Sequence, residues 1–457
     1  MNKIREKAGG FLARHPFFKN IAVLISGNVL GYGINILFLP VISRIYSPGQ
    51  LGEYDLILSS GRFVMDFISL GLIIAIMLPK EDRKARQLCQ LILVLNISFL
   101  TILFLFFAGI KNHYRLFDTS IPYGTALLLL AAYLFFFNMQ SLYYSYTNRS
   151  RQYRILFWNP ILQNVVNIGV SVALGLGGKG TAGYLMGTIA AYAVCCMHMQ
   201  LYVHPFRVKA DPIEWKNRIV EYKEIVWIQM PANLIAQAGN EIPTQFLGRM
   251  FGSALLGGYT MANRILSIPL SLLSMPINRV FYQTMAEKMN RNEDVSRFCF
   301  GIVEKNIRIA ILPLGILVVF AKPVIPFVLG SSWKIAGDYI AVLGIMFLLK
   351  FCSSCVSGTF VIMGRQKLSL LMSMVNLVKY GMCFGISYSM GWNVFQTVIF
   401  FAVMECLFQL LNLFLCAWCT RYSIKAFLLF TIKYIVGGNL LIYGVYFLIN
   451  RLLVCFA

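Results

Sequence analysis

Long apolar segments separated by short polar ones recur along the whole chain. Twelve of them hold about 20 residues or more, which lets a helix cross a hydrocarbon core of about 30 Å. A further apolar stretch, at 426–449, is either a thirteenth span or an interfacial segment. Since a helix satisfies its own backbone hydrogen bonds in lipid, the pattern predicts an all-α polytopic membrane protein with about 12 transmembrane helices, or 13–14 if the C-terminal side adds to them. The predicted spans are roughly 21–43, 54–78, 87–110, 121–146, 155–176, 181–203, 223–248, 256–281, 301–329, 336–363, 368–390 and 394–419.

A degenerate internal repeat relates two parts of the chain at an offset of 205 residues. The segment 44–54 aligns with 249–259, and the same offset puts Asn28 on Asn233 and Asn35 on Asn240. The repeating unit therefore holds six helices, and two copies of an even-numbered unit enter the membrane in the same orientation. We predict an N-terminal bundle at 1–203, a cytoplasmic linker at 204–222, a C-terminal bundle at 223–419 and a tail with one further apolar segment at 420–457.

The basic residues are distributed asymmetrically between the two sets of loops. With the N-terminus in the cytoplasm, the inside segments carry 26 Lys and Arg residues and the outside segments carry 7. The positive-inside rule therefore predicts a cytoplasmic N-terminus. The formal net charge of +22 mostly reflects this bias, so we expect contact with anionic membrane lipid and no nucleic-acid partner.

The composition agrees with a lipid environment. Hydrophobic residues make up 58% of the chain and charged residues 13%, and the mean hydropathy is +0.70. A soluble domain has about 25% charged residues, so a soluble two-domain protein is excluded. The sequence shows no Gly-rich phosphate loop, metal cluster or nucleophile–base pair, and its four His residues are isolated. We therefore expect a protein that is not an enzyme and has no cofactor or metal.

Charged residues inside predicted spans are the first functional candidates, because a charge in lipid costs several kcal/mol unless it faces protein or water. Arg62 and Asp66 lie one helical turn apart and are expected to form a structural pair or to face a cavity. Lys350 and Lys379 have no acid within four residues, which favours cations that face a cavity. Glu405 is an acid that could pair with one of them. The other mid-span charges are Glu241, in span seven, and Arg264, in span eight, where Arg279 lies near an edge.

Amide side chains form a second set of candidates. Span seven carries Gln229, Asn233, Gln237, Asn240 and Glu241 on one helical side, more than helix–helix contact usually needs. Span one repeats this pattern weakly with Ser26, Asn28 and Asn35, and span five adds Gln163, Asn164 and Asn167. Cations attract phosphate or carboxylate, whereas amides suit sugar hydroxyls. We therefore predict a cavity that is net positive or nearly so and is lined with amides.

Three segments resemble the Wzx-type bacterial polysaccharide flippases, which handle O-antigen and other lipid-linked oligosaccharides. The segments are LPVISRIYSP at 39–48 with LGEY at 51–54, GGYTMANRILSIPL at 257–270 and VIPFVLGSSW at 324–333. The resemblance covers about residues 20–420 and extends to the superfamily that also holds multidrug extruders and the peptidoglycan lipid II flippase. It implies two helical bundles forming a V around a central cavity and movement of undecaprenyl-diphosphate-linked glycans across the inner membrane. Mid-membrane basic residues are general in the family, and the matching positions are Arg62, Arg264, Lys350 and Lys379.

The resulting hypothesis is a bacterial inner-membrane flippase that works by alternating access. The candidate substrate-binding residues are Arg62, Lys350, Lys379, Arg264, Asn233, Gln237 and Asn240. The candidates for coupling to a proton, a sodium ion or the membrane potential are Glu241, Glu405 and Asp66. Its expected partners are the lipid-linked glycan, membrane lipid, a glycan polymerase and a chain-length regulator. Two alternatives stay open: an ion-coupled multidrug extruder on the same fold, and a non-transporting subunit of a glycan-assembly complex.

Overall fold

The chain folds almost entirely into helices. The computed structural model describes residues 16–109, 117, 119–209, 211–291 and 293–456, and no β-strand occurs among them. Nine helices in these ranges are long and apolar enough to cross a membrane. The predicted fold class, an all-α polytopic membrane protein, is therefore confirmed.

The described chain divides into two compact units, one ending at Glu241 and one beginning at Ile242. The bundle boundaries inferred from the repeat stay a prediction. The helical elements of the first unit are α1 Pro16–Ile45, α2 Pro48–Arg62, α3 Met65–Ile68, a 3-10 turn Ile74–Met77, α4 Asp82–Gly109, α5 Tyr123–Arg149, α6 Tyr153–Leu176, α7 Gly180–Gln200, α8 Pro212–Glu221, a π-helical turn Ile225–Gln229 and α9 Met230–Phe251, which continues past the boundary.

The second unit is built from a further series of helices. They are α10 Ser253–Asn290, α11 Ser296–Leu329, a 3-10 turn Ser331–Trp333, α12 Lys334–Cys355, α13 Thr359–Ile362, α14 Gln366–Ser389, α15 Val394–Cys419, α16 Ile424–Phe430, a π-helical turn Thr431–Val436 and α17 Gly437–Phe456. In this unit α12 is the most enclosed of the candidate spans, because 72% of the apolar window that contains it is buried.

The internal repeat is visible in the helix boundaries. Helix α2 begins at Pro48 and α10 begins at Ser253, so their starting residues differ by the offset of 205 found in the sequence. The start of α2 is fixed by a capping box, in which the Ser47 side chain accepts from Gln50 and the Gln50 side chain accepts from Ser47. The leucine and tyrosine that the repeat aligns are buried in both copies, at Leu51, Tyr54, Leu256 and Tyr259.

Span two is not the continuous helix that the apolar run at 54–78 predicts. Helix α2 ends at Arg62, and only a short helix and a 3-10 turn follow it. Leu70 and Gly71 have φ of 51° and 68°, a left-handed conformation that interrupts the helical hydrogen-bond ladder. At Gly71 an added Cβ would lie 3.2 Å from the Cβ of Met230, so glycine also permits the close approach of α9. Apolar content alone does not reveal this break.

The C-terminal helical segment packs along α11 and runs in the same direction. Near one end the Tyr434 hydroxyl donates to Glu304 at 2.5 Å. Further along, Ile442 packs on Val318 and Val319. At the other end the Lys322 ammonium lies 5.5 Å from the ring centre of Tyr446. Because α11 is a candidate span, this lengthwise contact favours a further crossing over an interfacial segment.

Candidate functional site

A cavity of about 380 Å³ lies among α2, α5, α7 and α9 of the first unit. Arg62 and Asp66 are the charged residues among the described side chains that line it. The rest of the polar lining comes from Tyr54, Tyr133, Thr188, Tyr192 and Gln237. Arg62 is the last residue of α2, where a cation interacts favourably with the negative end of the helix dipole. The break after α2 therefore places a cation beside a tyrosine-rich cavity.

Arg62 is held by a carboxylate from α9. Its Nη1 donates to both carboxylate oxygens of Glu241, at 3.2 and 3.1 Å. Gln237, one turn earlier in α9, donates to the same carboxylate at 3.1 Å. The Arg62 side chain is 29% exposed, whereas that of Glu241 is 6% exposed. The acid is therefore enclosed while the guanidinium reaches the cavity.

Asp66 does not pair with Arg62, contrary to one of the two expectations for these residues. Helix α2 stops at Arg62, so the two residues do not lie one turn apart on a continuous helix. Instead, the Asp66 carboxylate lies close enough to the Asn233 side chain of α9 to interact with it. The structure therefore brings together Arg62, Asp66, Asn233, Gln237 and Glu241, five of the residues selected from the sequence.

Two carboxyl groups lie close to the Arg62 guanidinium. Besides the Glu241 carboxylate, Oδ1 of Asp55 lies 4.0 Å from Arg62 Nη2. This cavity within the first unit is rich in tyrosines, and its charged lining among the described residues is one cation and one acid, Arg62 and Asp66. The net positive, amide-lined cavity that was predicted to lie between the two bundles stays a prediction. Tyr54, Asp55, Tyr133 and Tyr192 were not selected from the sequence. Asp55 could have been found, because it lies two helical turns before Arg62 on the same face.

A second charged cluster lies inside the second unit. The Lys379 ammonium of α14 forms an ion pair with Glu405 of α15 and donates to Asn376 at 2.7 Å. Gln409, one turn after Glu405, donates to the same carboxylate at 2.8 Å. The pairing of Glu405 with one of the mid-span lysines is therefore confirmed, and it is Lys379 that it pairs with.

Lys379 is enclosed rather than facing a cavity. Its side chain is 5% exposed and that of Glu405 is 4% exposed. The ammonium also lies 4.1 Å from the ring centre of Tyr380 and 4.4 Å from that of Phe408, within range of cation–π attraction. The expectation that Lys379 is an unpaired, cavity-facing cation is wrong, because a partner from the next helix satisfies it.

Lys350 behaves differently from Lys379. It is partly buried in α12, with its ammonium 5.7 Å from the ring centre of Phe347. Among the described residues it has no ion-pair or hydrogen-bond partner, although it interacts electrostatically with both Lys379 and Glu405. Two other candidates lie elsewhere: Arg264 is partly buried in α10, and Asn240 is exposed on α9.

One family of known proteins matches the sequence of this chain. A family model described as "Polysaccharide biosynthesis protein" matches residues 41–336, which is more than half of the chain. The chain belongs to this polysaccharide biosynthesis family. The matched region runs from the end of α1 to the start of α12, so the Arg62 cavity lies within it. Lys350, Lys379 and Glu405 lie beyond it.

One curated relative has a name that agrees with the family. The teichuronic acid biosynthesis protein TuaB of Bacillus subtilis (strain 168) is 24% identical over 263 residues. The match covers 56% of this chain and 53% of TuaB, so it spans about half the length of that relative. The name says that TuaB takes part in teichuronic acid biosynthesis.

Solved structures show the same fold at low sequence identity. The lipid II flippase MurJ, in an inward closed conformation, superposes with a TM-score of 0.66 at 11% identity, covering 95% of this chain and 98% of MurJ. An inward-facing multidrug resistance MATE transporter of the MOP superfamily gives a TM-score of 0.59 at 13% identity, covering 86% of this chain and 98% of the transporter. This polysaccharide biosynthesis protein therefore shares its fold with membrane transporters and flippases, and none of these proteins is named as an enzyme.

Proposed function

We propose that this protein is a flippase that moves undecaprenyl-diphosphate-linked oligosaccharide repeat units across the bacterial inner membrane. The products would serve the assembly of surface polysaccharide, such as O-antigen, capsule or exopolysaccharide. Membership of the polysaccharide biosynthesis family supports this function, and so does the fold shared with a lipid II flippase. The observation that carries it is Arg62, an arginine that reaches a cavity within the apolar part of the chain.

The chemistry of Arg62 suits a diphosphate. A guanidinium carries five N–H donors, and Nη1 of Arg62 is the nitrogen used by Glu241. The remaining donors can meet phosphate oxygens in the paired geometry that makes arginine–phosphate contacts strong. Lys350 is the second candidate for a phosphate or an acidic sugar, because it has no ion-pair partner within the described residues.

Glu241 gives this binding a means of control. The carboxylate and a substrate phosphate compete for the same guanidinium, so protonation of Glu241 would release Arg62 for the substrate. Glu241 is therefore our first candidate for coupling to a proton, ahead of Asp66 and Glu405, while sodium or the membrane potential are the alternative driving forces. A ligand shifts an alternating-access equilibrium only by its differential affinity for the two states, so this coupling requires that the Arg62–Glu241 pair differ between them.

The proposal also specifies location and partners. The charge bias of the loops supports a cytoplasmic N-terminus in the inner membrane, where lipid-linked repeat units are made. The translocated unit would be passed to a glycan polymerase and its chain-length regulator. Neither partner is expected to touch the Arg62 cavity, since both act on the glycan after translocation.

Deletion of the gene in its host tests the function directly. We expect complete lipid-linked repeat units to accumulate and surface polysaccharide to disappear, as measured by mass analysis of extracted undecaprenyl-linked sugars. Complementation with wild type should restore both, and complementation with Arg62→Met should restore neither. Unchanged lipid-linked sugars and unchanged surface glycan in a strain without a second such gene would refute the proposal.

The acids and tyrosines of this region favour one alternative, an ion-coupled multidrug extruder. Asp55 and Glu241 lie beside Arg62, and Asp66 and three tyrosines line the cavity, which together form the kind of surface that binds organic cations. This alternative predicts that expression raises resistance to cationic dyes and drugs and that Glu241→Gln abolishes the resistance. The family match favours the glycan substrate, and measuring dye resistance in the deletion strain separates the two functions.

A further inference from the structure

A second cavity of the first unit, of about 370 Å³, has an uncharged polar lining. It lies among α1, α5 and α6, and no charged residue occurs among the described side chains that line it. Four amides contribute, those of Asn28, Gln140, Asn159 and Gln163, together with two serine hydroxyls and Tyr144. Its volume falls within the range of about 300–1,000 Å³ typical of small-molecule sites.

Within the described part of the chain, two of these four amides form no hydrogen bond that joins one helix to another. Asn28 and Gln163 form no hydrogen bond with any described residue, whereas the nearby amides of Asn35 and Asn164 bond to each other at 3.1 Å. The same two helices therefore carry amides engaged in helix contact and amides left open to the cavity. Helix–helix contact explains the first set only.

Asn159 gives independent support for a ligand site in this cavity. It is 2% exposed, and its oxygen accepts from Gln140 at 2.8 Å. Its amide nitrogen is buried and has no hydrogen-bond partner among the described residues. An unsatisfied buried donor costs about 1–3 kcal/mol, so such groups are rare unless they serve a purpose. A polar group entering the cavity could satisfy it after a small side-chain movement.

The lining selects the chemical class of the ligand. A phosphate or an organic cation needs a counter-charge, which the described lining does not offer, while an apolar group would leave the amides unpaired. Amides and hydroxyls both donate and accept hydrogen bonds, as sugar hydroxyls do. We infer that this cavity binds uncharged sugar residues of the lipid-linked glycan, an inference that rests on the proposed function.

The position of the cavity fits the loading of such a substrate. Gln140 and Ser145 lie in the second half of α5, and Asn159 and Gln163 lie in the first half of α6. The connection between these two helices is cytoplasmic in the predicted orientation. The cavity therefore lies in the half of the membrane nearer the cytoplasm, where the glycan is attached to its lipid.

Binding measurements with two lipids test the inference. The purified full-length protein in nanodiscs would be titrated with the lipid-linked repeat unit extracted from the host and with undecaprenyl diphosphate, which has no sugar. We expect wild type to prefer the glycan-bearing lipid. Asn28→Leu and Gln163→Met should each weaken binding of that lipid about 3–10-fold, since a neutral hydrogen bond contributes about 0.5–1.5 kcal/mol, and leave binding of undecaprenyl diphosphate unchanged.

Controls make the outcomes distinct. Asn35→Leu removes an amide from the same helix outside the cavity and should not alter the preference for the glycan. Thermal unfolding of each variant checks that the fold is kept. If the two variants bind both lipids equally more weakly, or bind both as tightly as wild type does, the inference of a sugar site is wrong, and the proposed flippase function is unaffected. Failure of wild type to bind either lipid would overturn the proposed function and this inference with it.

Discussion

The two charged clusters are built from the same parts but differ in their surroundings. In each, a cation from one helix meets a glutamate from another, and a glutamine one turn away donates to that glutamate. The Arg62 side chain is 29% exposed beside a cavity. The Lys379 side chain is 5% exposed and lies against Tyr380 and Phe408. The same pairing thus serves an accessible site in one unit and an enclosed one in the other.

The difference shows why a mid-membrane cation does not by itself identify a substrate site. An enclosed ion pair has given up its hydration, and removing one partner leaves an uncompensated charge. A partly exposed pair can exchange its partner for a ligand at smaller cost. We therefore expect Lys379 and Glu405 to act mainly on stability, and Arg62 and Glu241 to act mainly on binding.

The largest effect is expected from breaking the enclosed pair. Lys379→Met leaves Glu405 charged and buried, which should lower the free energy of unfolding by about 3–5 kcal/mol. Lys379→Met/Glu405→Leu removes both charges and should recover most of that loss. Chemical denaturation in detergent measures both variants. Equal stability of the single and double variants would show that the pair is not enclosed as described.

The next effect concerns ligand affinity at the accessible pair. Glu241→Gln imitates the protonated acid and frees Arg62, so it should raise the affinity for undecaprenyl diphosphate about tenfold. Arg62→Met/Glu241→Gln should lower the affinity below that of wild type by about tenfold or more, because a hydrogen bond to a charged group contributes about 1.5–3 kcal/mol. Titration of protein in nanodiscs measures both. Weaker binding by Glu241→Gln alone would contradict competition for Arg62.

A moderate effect is expected at Lys350, because a substitution there should change substrate binding without changing stability. Since no described residue pairs with it, Lys350→Met should change the free energy of unfolding by less than about 1 kcal/mol. If Lys350 binds substrate, Lys350→Met should nevertheless lower the amount of surface glycan several-fold. Lys350→Arg, which keeps the positive charge, should retain the surface glycan. Glycan staining of complemented deletion strains gives the result. Normal glycan with Lys350→Met would remove this residue from the binding site.

The smallest effects provide a matched comparison of the two glutamines. Gln409 is buried and donates to Glu405, whereas Gln237 lines the cavity and donates to Glu241. Gln409→Leu should cost about 1–2 kcal/mol of stability, and Gln237→Leu about 0.5 kcal/mol, because solvent can replace the latter bond. Thermal unfolding of the two variants in the same detergent tests the order. A reversed order would contradict the assignment of enclosed and accessible clusters.

Much of the fold could be predicted because lipid imposes helices on apolar runs. The repeat offset also anticipated where α2 and α10 begin. The break after Arg62 could not be predicted in this way, because Leu70 and Gly71 depart from the helix within an apolar run. Gly71 also lies close to Met230, which is 159 residues further along the chain, and local sequence does not reveal that contact.

Sequence reasoning identified residues of the candidate site better than it identified which of them pair with each other. Glu405 was a clear partner because it is a mid-span acid in the span that follows Lys379. Arg62 and Glu241 are 179 residues apart, and nothing in local spacing links them. Charge counting also treated each span separately, so it missed that Asp55 and Glu241 both lie beside the Arg62 guanidinium.

The parallel packing of the last helix on α11 has a practical consequence for labelling. Because both helices run the same way, the end of α17 lies on the same side of the membrane as the end of α11, at Gly330. In the orientation predicted from the loop charges, that side faces away from the cytoplasm. A fluorescent protein that folds only in the cytoplasm would be dark at this end, whereas alkaline phosphatase would be active there. A reporter chosen without regard to this helix would give a false impression of poor expression.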